Sequence, residues 1–575
     1  MKKSLICLMI YIFLLLPIIS AATINAPSCS QTDVQAAIDS SSYGDTVLVP
    51  AGSATWITKA QGCSGDTALC IKKGINLKGG IGGETSISLS GLAPYGAIYY
   101  EPDSTSISNN TPFEFTGFTI NANKITYQEG VLDVSNSGTT PITKVRIHDN
   151  TFKNELAETI QINGPVYGVA YSNSFIDCQT VIRTAGGDGR SWNLNQREYG
   201  TRNNFFFEDN TAIATTAKST GAFTAGQGGS IVIRYNTYDL GQLLLDGNQW
   251  QDLHGLQSMT TIDGNVQCGY APYNVPNSCL PEVKSCEQWS QIKSEWYGNI
   301  HTNFRNPYST AQEWMRLRGS WMLMFNNVIT GTGIMPLPDI YQYSCDSCQS
   351  GTGLRYSMHV QNTYVWNNVG NGVNRPIYVL QDNCGSYAVG TPYTITENVD
   401  YWNYNSNILD GNTQKGINCG SSPPTGSCSI GDGYWQTSYS PCSMPPAVMA
   451  DMKTYTQTGK FYKCTAPNTW TEYYQPYIYP HPLRVAPSGT DICGEGEITN
   501  ECWCEGLKTI GYCYNGYYYS EEGERIIPPP AEEEQPSLGE IVTIQNMLNA
   551  YQRYKTNEVT LSYFLDKLKN WIVFW

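Results

Sequence analysis

Short runs of alternating apolar and polar residues return along most of the chain. Each run contains two alternating apolar residues, then an Asn a few positions later, and often a further apolar residue. The clearest run spans residues 145–152, with its Asn at position 150. Further copies centre on Asn173, Asn210, Asn236, Asn265, Asn299, Asn326 and Asn367, with a weaker one at residues 118–121. A short unit that recurs with variable insertions indicates a solenoid.

The repeat suits stacked parallel strands, because parallel neighbours require long connections and each coil must bury its apolar residues against the coils above and below. Asn tolerates the left-handed conformation of a tight turn, and its amide can pair with the Asn of the next coil. An antiparallel sandwich with Asn-rich turns is the alternative. The scarcity of Asn-Gly hairpin turns favours the solenoid. We therefore predict an all-β, right-handed parallel β-helix.

The two ends of the solenoid have their own patterns. Residues 32–39 place Val34, Ala37 and Ile38 on one helical face, and a strand is predicted at 46–49. This helix would cover the N-terminal end of the β-helix, with Thr32 or Asp33 as its cap. A segment rich in Pro and aromatic residues, including a helix at 447–455 and ending near residue 484, is interpreted as the C-terminal lid. The predicted β-helix domain is residues 23–488.

The remaining segments predict export and attachment. Residues 1–22 have the basic start, apolar stretch and small-residue end of a signal peptide. Residues 489–520 form a small Cys-rich module, for which two disulfides are favoured over a zinc site. Residues 521–536 are a Pro- and Glu-rich linker. Residues 537–575 are predicted to form a helical hairpin that anchors the protein to a cell surface or dimerises, and they lack the calcium-loop spacing of a dockerin.

Cysteine usage agrees with an oxidising, extracellular location. The chain has 19 Cys, of which Cys7 lies in the leader. Close neighbours in sequence are candidates for disulfides, although spacing alone does not determine the pairing. They are Cys63 with Cys70, Cys279 with Cys286, Cys345 with Cys348, Cys419 with Cys428, and Cys442 with Cys464, together with Cys493, Cys502, Cys504 and Cys513 of the module. Cys345 and Cys348 also have the spacing of half a zinc site or a redox motif, which ranks below the disulfide.

Composition narrows the partners. Only 14% of the residues are charged, and the formal net charge is −15. Because the chain is acidic and its sequence has no basic clusters, nucleic acid is not expected as a partner. The 40 Tyr and 14 Trp suit half-exposed strands and the stacking of flat sugar rings.

These features resemble the pectin-lyase-like parallel β-helix superfamily, over roughly residues 29–484. More closely, the chain is similar to uncharacterised secreted β-helix proteins that end in Tyr-Pro-His-Pro-Leu, here residues 479–483. Other shared elements lie at 44–47, 207–210, 234–236, 254–255 and 316–319. The resemblance implies an extracellular polysaccharide as substrate or ligand. It leaves catalysis open, because the fold hosts lyases, hydrolases, esterases, adhesins and phage tailspikes.

The middle coils hold the predicted active site. Arg316 and Arg318 alternate around Leu317, so they share one face of their strand and could bind a uronate carboxylate. His254 or Glu295 could then move the proton. With Arg234, these residues are predicted to form one row across adjacent coils. The predicted substrate-binding residues are Trp296, Tyr297, His301 and Trp314.

Each of these residues also has a plainer interpretation, because an outward Arg on a strand is often only solvated or ion-paired. His148 is expected to be such an outward strand residue, and Arg183 is assigned to a second, looped cluster. No cofactor is certain. Calcium is the metal that a lyase of this type would use, but the sequence shows no compact aspartate trio for it.

The leading hypothesis is a secreted carbohydrate-active β-helix protein that binds or cleaves an acidic polysaccharide, by β-elimination if it is an enzyme. The alternative is a non-catalytic surface or adhesion protein in which the β-helix is a binding platform or spacer. The Cys-rich module, the linker and the hairpin favour this alternative, because they look suited to attaching the solenoid to a surface.

Overall fold

The computed structural model describes residues 21–60, 62–63, 66–91, 96–124, 130–138, 140–156, 158–185, 199–215, 224–227, 229–239, 251–254, 259–260, 267–268, 291–305, 315–318, 320–332, 339–341, 360, 362–381, 395–405, 415–438, 452–484, 498–504, 507–514, 517–520 and 525–526. Parallel strands dominate them and form three long faces, which confirms the predicted all-β parallel β-helix. Strands are numbered here in chain order.

Sheet 1 is the first face of each coil. Its strands are β1 (Thr23–Asn25), the first part of β2 (Thr46–Ile57) and of β6 (Asn76–Ser90), β8 (Phe113–Thr116), β11 (Ile142–His148), β14 (Val166–Tyr171), β17 (Phe205–Glu208), β20 (Ile231–Arg234), β25 (Gln291–Tyr297), β28 (Ser320–Phe325), β31 (Thr363–Trp366) and β35 (Tyr401–Asn403).

Sheet 2 follows a tight turn after sheet 1. It contains the second parts of β2 and β6, then β9 (Phe118–Asn121), β12 (Thr151–Lys153), β15 (Ser174–Ile176), β18 (Thr211–Ile213), β21 (Thr237–Asp239), β26 (Ile300–Arg305), β29 (Val328–Thr332), β32 (Val369–Gly370) and the antiparallel β33 (Val373–Asn374).

Sheet 3 closes each coil, and the described part of the chain contributes ten strands to it. They are β5 (Leu69–Ile71), β7 (Ile98–Tyr100), β10 (Leu132–Ser135), β13 (Glu158–Asn163), β16 (Thr180–Ala185), β19 (Thr224–Gln227), β22 (Gln251–His254), β27 (Met315–Arg318), β30 (Asp339–Tyr341) and β34 (Tyr378–Gln381). Two short antiparallel pairs lie outside the coils, β3 (Lys59–Ala60) with β4 (Asp66–Thr67), and β23 (Met259–Thr260) with β24 (Gln267–Cys268).

The core is the column of apolar side chains that point into the coils. On sheet 3, for example, Leu132, Ile160 and Ile182 are register neighbours on successive strands, and each is fully buried. On sheet 2, the rings of Phe152 and Phe175 stack with their centroids 5.4 Å apart. Like residues therefore repeat at equivalent positions because each coil buries its apolar face only against its neighbours.

A ladder of buried Asn side chains runs along the turn between sheets 1 and 2. The Nδ2 of Asn150 donates to the Oδ1 of Asn173 at 3.0 Å, and the same bond joins every later rung. The later rungs are Asn210, Asn236, Asn299, Asn327 and Asn368. The ladder confirms the predicted pairing of Asn amides on successive coils.

The positions of three predicted rungs were wrong. The residue before each ladder Asn has the left-handed conformation, for example Ser172 with φ 53° and Asn326 with φ 56°. The turn and the ladder are therefore two successive positions, and the rungs are Asn327 and Asn368 where Asn326 and Asn367 were predicted. No rung falls at Asn265 either, because Asn236 bonds directly to Asn299; Asn265 itself lies outside the described residues.

The N-terminal end is covered by helix α1 (Gln31–Ser40), whose Val34, Ala37 and Ile38 are buried as predicted. The cap is Ser30, where Thr32 or Asp33 was predicted, since the Ser30 side chain accepts from the backbone N–H of Asp33. A second short helix, α2 (Ser104–Ser108), lies between sheets 3 and 1.

The C-terminal segment lies along the side of the solenoid. Helix α3 (Met452–Gln457), strands β38 (Lys460–Ala466) and β39 (Thr469–Tyr474), and a 3₁₀ turn at Pro482–Arg484 form what we call the C-terminal strap, residues 452–484. Strands β36 (Ile417–Gly420) and β37 (Gly433–Gln436) complete its small sheet. The strap packs on the outer face of sheet 1 through one aromatic cluster, which includes Trp366, Phe461 and Tyr477. The sequence predicted an end lid with a helix at 447–455; residues 452–455 belong to α3, and residues 447–451 lie outside the described residues.

Beyond the strap, β40 (Ile498–Cys504), β41 (Leu507–Tyr514), β42 (Tyr517–Ser520) and β43 (Arg525–Ile526) form an antiparallel sheet. It contains Cys502, Cys504 and Cys513 of the predicted module, whose pairing is not described, and β43 lies within the predicted linker. The hairpin at 537–575 and the first 20 residues lie outside the described residues. Among the described helices, none has the length and apolar character needed to cross a membrane.

Two disulfides are described in full. Cys63 pairs with Cys70, as predicted. Cys428 pairs with Cys464 across 36 residues. The predicted pairs Cys419 with Cys428 and Cys442 with Cys464 were therefore wrong. Cys419 is itself disulfide-bonded. The other candidates, Cys279, Cys286, Cys345, Cys348, Cys442 and Cys493, lie outside the described residues.

Candidate functional site

The five predicted catalytic residues divide between two faces of the solenoid. Arg234 and Glu295 are on β20 and β25 of sheet 1. His254 is on β22, and Arg316 and Arg318 are on β27, both in sheet 3. The single row predicted from the sequence is therefore not formed, because the alternation that places residues on one face cannot reveal which of three sheets holds them.

Arg234 is enclosed beneath the strap. Its side chain is 0% exposed, and its guanidinium contacts Glu208, with Nη2 at 2.6 Å from Oε2. It also donates to the backbone carbonyls of Tyr477 and Ile478, at 2.5 and 2.7 Å. Burial opposes its charge, but Glu208 outweighs this effect and keeps the pKa of Arg234 raised. The prediction that Arg234 belongs to an outer substrate face is corrected, because its donors hold the strap.

Glu295 is also fully buried at the same interface. Its carboxylate accepts from the hydroxyl of Tyr474 at 2.7 Å and from the backbone N–H of Gly200 at 2.8 Å. These contacts join sheet 1, the residue 199–200 segment and the strap. Glu295 therefore lies away from the outer surface on which it was predicted to move a proton.

Three of the predicted sugar-binding residues are buried too. Trp296 faces the core, and Tyr297 accepts a hydrogen bond from Arg234 at 3.0 Å. His301 stacks on Tyr238 with ring centroids 4.5 Å apart, and burial lowers the pKa of His301 to about 3. None of these rings is available to a surface sugar, since aromatic side chains on strands pack against their neighbours. Trp314 lies outside the described residues.

Sheet 3 brings the other three predicted residues together. The strand register sets His254 beside Arg318 and Asp252 beside Arg316. The fully buried Leu317 lies between the two arginines, so their positions share the opposite face of β27. Neighbouring strands are about 4.8 Å apart. The sheet 3 row consists of the register neighbours Gln161, Arg183, Ala225, Asp252, Arg316 and Asp339.

Hydrogen-bonded polar groups continue this face toward the N-terminus. The Nε2 of Gln161 donates to Asn163 at 2.9 Å, and the Nδ2 of Asn163 donates to Asp133 at 3.1 Å. Arg183 forms an ion pair with Glu158, and both side chains remain partly exposed, at 21% and 16%. Arg183 was assigned to a loop from the sequence, but it is a strand residue of β16.

Asp252, Asp339 and Gln161 were not among the predicted site residues. The signal that could have found them is register, because each occupies the same position of its strand as Arg316. The insertions between strands vary in length, and they hide this equivalence in the sequence. Within the described ranges, no group of three or more His, Cys, Asp and Glu side chains could hold a metal ion. Calcium at this face stays a prediction.

A second charged cluster lies on the outer face of sheet 1. The carboxylate of Glu114 is approached by Lys78 at 2.6 Å, by the Nε2 of His148 at 2.9 Å and by Arg146 at 3.1 Å. Burial opposes ionisation of Glu114, but these three partners outweigh it and lower its pKa to about 2. Burial likewise disfavours the charged form of His148, but bonds to Asp149 and Glu114 raise its pKa. The cluster is ionic and partly exposed.

Comparisons with known proteins add little to this picture. No family model matches the chain, and no curated protein matches it. Among solved structures, the chain is similar to the A-module of the mannuronan C-5 epimerase AlgE4 from Azotobacter vinelandii, at 15% identity and a TM-score of 0.24, over 63% of this chain and 95% of that one. It is also similar to ORF18 of Geobacillus virus E2, at 11% identity and a TM-score of 0.25, over 88% of this chain and 86% of that one. Such low TM-scores assign no function, and the strand register alone defines the chain as a parallel β-helix.

Proposed function

We propose that this protein binds an acidic polysaccharide along the outer face of sheet 3 and cleaves it by β-elimination. The observation that carries the proposal is the register that sets His254 beside Arg318, on the strand that also holds Arg316. Two cationic residues and one titratable residue thus occupy adjacent positions of adjacent coils. The charge of the two arginines is opposite to that of a uronate polymer, and the register neighbours of Arg316, Asp252 and Asp339, partly offset it.

The proposed chemistry needs each of these residue types. A cation near the uronate carboxylate stabilises the negative charge that develops when the neighbouring carbon loses its proton. Arg316 supplies this cation, and neutral His254 accepts the proton. The electrons of the broken C–H bond form a carbon–carbon double bond, the glycosidic C–O bond breaks, and the leaving oxygen takes up a proton. Arg318, beside His254, orients the chain of the sugar.

The row also supplies length for a polymer. Gln161 and Arg183 belong to the same register row as Arg316 on earlier strands, and Asp339 continues it on the next. Positions repeating at about 4.8 Å along a rigid face suit an extended ligand better than a small molecule. Of the polar side chains described here, Arg183 is partly exposed and can donate hydrogen bonds to hydroxyl and carboxylate oxygens. Gln161 and Asn163 are buried, and their amides donate to Asn163 and Asp133.

The experiment combines cleavage and binding. The purified protein is incubated with a panel of uronate polymers, with and without calcium, and ultraviolet absorbance is followed for new unsaturated ends. Arg316→Ala and His254→Ala are compared with Arg375→Ala, a control beside β33 on sheet 2. We expect the first two variants to lose activity at least about 100-fold, as for the loss of a general base or a charge-stabilising donor, and the control to keep it.

Three outcomes separate the alternatives. No new absorbance on any polymer would reject the lyase. Polymer binding without cleavage would identify the non-catalytic platform instead. Full activity of Arg316→Ala would remove Arg316 from the site even if the protein is a lyase.

A further inference from the structure

The outer face of sheet 1 changes its chemistry at β14. Toward the C-terminus its outward residues are largely apolar and aromatic, such as Phe206, Phe325 and Trp366, and the strap packs on them. Toward the N-terminus several of them are charged, among uncharged residues such as Asn76 and Thr116. The charged part, which we call the basic patch, consists of Lys78, Lys144, Arg146 and His148.

The basic patch carries more positive than negative charge. Lys78, Arg146 and His148 share the single buried carboxylate of Glu114, and Lys144 lies exposed on β11. Asp149, with a 63% exposed side chain, is a further acid beside His148. A surface of this sign is unusual for a chain with a formal net charge of −15. It attracts anionic groups from the rest of the molecule or from outside it.

The strap delivers the chain to the edge of this patch. The hydroxyl of Tyr171 donates to the backbone carbonyl of Arg484 at 3.1 Å, and the Arg484 guanidinium lies over the Tyr171 ring at 4.7 Å. The Tyr171 ring in turn stacks on His148, with centroids 4.5 Å apart. Whatever follows residue 484 therefore starts beside His148.

The following sequence contains a strongly acidic segment. Residues 521–534 include six Glu and one Arg. The antiparallel sheet of β40–β43 begins at residue 498 and includes residues 525 and 526, so the connection from the strap is the chain between residues 484 and 498. It could extend to at most about 45 Å, which is still more than the width of a few coils. A tethered segment meets the patch at a high effective concentration, so even weak ion pairs are populated.

We propose that this acidic segment, residues 521–534, docks on the basic patch of the same molecule. Three observations converge on it: the patch continues the surface that the strap already occupies, its charge is complementary to the segment, and the chain leaves the strap at its edge. Docking would position the predicted hairpin at 537–575 on the N-terminal half of sheet 1, away from the sheet 3 row. The proposal is independent of any catalysis at sheet 3.

The test uses full-length protein and a zero-length carbodiimide cross-linker, which joins Lys to Glu only at direct contact. We expect cross-links between Lys144 or Lys78 and Glu residues 521–534. Lys144→Glu should reduce the yield of the Lys78 cross-links about two- to fivefold, as expected for exposed ion pairs. It should also speed cleavage of the segment by a Glu-specific protease by a similar factor. Lys144 is chosen because it is exposed and leaves the Glu114 contacts intact.

Two further variants serve as controls for the docking of the acidic segment. Lys59→Glu, an exposed lysine of β3, should change neither readout. Replacing Glu532, Glu533 and Glu534 by Lys in the Lys144→Glu protein should create new cross-links between position 144 and positions 532–534. Unchanged cross-links and cleavage in Lys144→Glu would overturn the proposal. Cross-links found only between isotopically mixed molecules would show a second copy as the occupant. Binding of a uronate polymer that Lys144→Glu abolishes, without any cross-link to the segment, would show a polysaccharide there.

Discussion

Arg234 and Glu208 occupy the same position on neighbouring coils of sheet 1, and both side chains are completely buried, with Nη2 of Arg234 2.6 Å from Oε2 of Glu208. The other oxygen of Glu208 accepts from the backbone N–H of His481 at 2.9 Å and from Arg484 at 3.0 Å. The pair therefore joins the solenoid to the strap. Burial opposes ionisation of Glu208, but Arg234 and Arg484 outweigh it and keep its pKa lowered.

Glu208→Gln should strongly destabilise the protein. It would leave Arg234 buried without a carboxylate, and breaking a buried pair by removing one partner costs about 3–5 kcal/mol. Urea unfolding measures the difference. Glu472→Gln is the control, because the exposed Lys460–Glu472 pair at 3.0 Å should contribute no more than about 1 kcal/mol. Similar losses of unfolding free energy in both variants would show that the buried pair contributes no more stability than the exposed pair.

The Asn ladder permits a test on two adjacent residues. Asn173→Ala would orphan the buried polar groups that Asn173 joins, including the Ile147 carbonyl, and should cost about 1–3 kcal/mol. Ser172→Gly changes the exposed left-handed turn position just before it, where glycine is unstrained, so stability should stay within about 1 kcal/mol. Thermal or urea unfolding distinguishes them. The assignment of two separate roles would be wrong if Ser172→Gly were the more damaging change.

The sequence predicted the repeating strands better than it predicted which face of the solenoid each residue occupies. Alternation identified strands such as residues 145–147, because an inward position must be apolar in every coil. It could not assign Arg234 and His254 to different sheets, since neither the apolar run before Arg234 nor the polar segment before His254 identifies a sheet, and the insertions between strands vary. The double Asn at 326–327 shows the same limit. Either residue suits a left-handed turn, and only the stacking of coils determines which amide enters the ladder.

The prediction of a lid over the end of the solenoid was the larger error, and its cause is physical. An aromatic, Pro-rich segment after the last repeat could cover either the end of the solenoid or its side. What decides between them is the outward apolar face of sheet 1, for example Phe325 and Trp366, whose rings stack at 4.4 Å. Outward apolar residues look like core residues in a linear sequence. The same ambiguity led Trp296 and Tyr297 to be assigned to sugar binding.

The Cys428–Cys464 disulfide should contribute more stability than Cys63–Cys70. A cross-link restricts the unfolded chain more as the loop that it closes grows, and the two bonds span 36 and 7 residues. The loop-closure relation gives about 3.8 and 2.4 kcal/mol. Cys428→Ser with Cys464→Ser, and Cys63→Ser with Cys70→Ser, are compared by urea unfolding under oxidising conditions. A larger loss from the shorter loop would show that native contacts, and not loop length, dominate.

Buried histidines predict how stability depends on pH. Burial lowers the pKa of His301 to about 3, and burial together with Arg234 and Arg484 holds the pKa of His481 well below its usual value. The unfolded chain binds protons at these residues near pH 6.5, whereas the folded chain does not. Stability should therefore fall as the pH drops below about 6.5, by up to about 1.4 kcal/mol per pH unit for each histidine.

His148 affects stability on the alkaline side of the pH profile, because its pKa is raised in the folded state. Its contribution is complete below pH 6.5 and is lost as the pH rises through the raised value, so stability should be greatest near pH 6.5. Urea unfolding between pH 4.5 and 8 measures the profile. His301→Phe keeps a ring beside Tyr238 but cannot bind a proton, so it should reduce the acid slope by one proton. His148→Gln should flatten the alkaline side and leave the acid slope unchanged. An acid slope that survives His301→Phe in full would mean that residue 301 does not remain neutral in the folded protein.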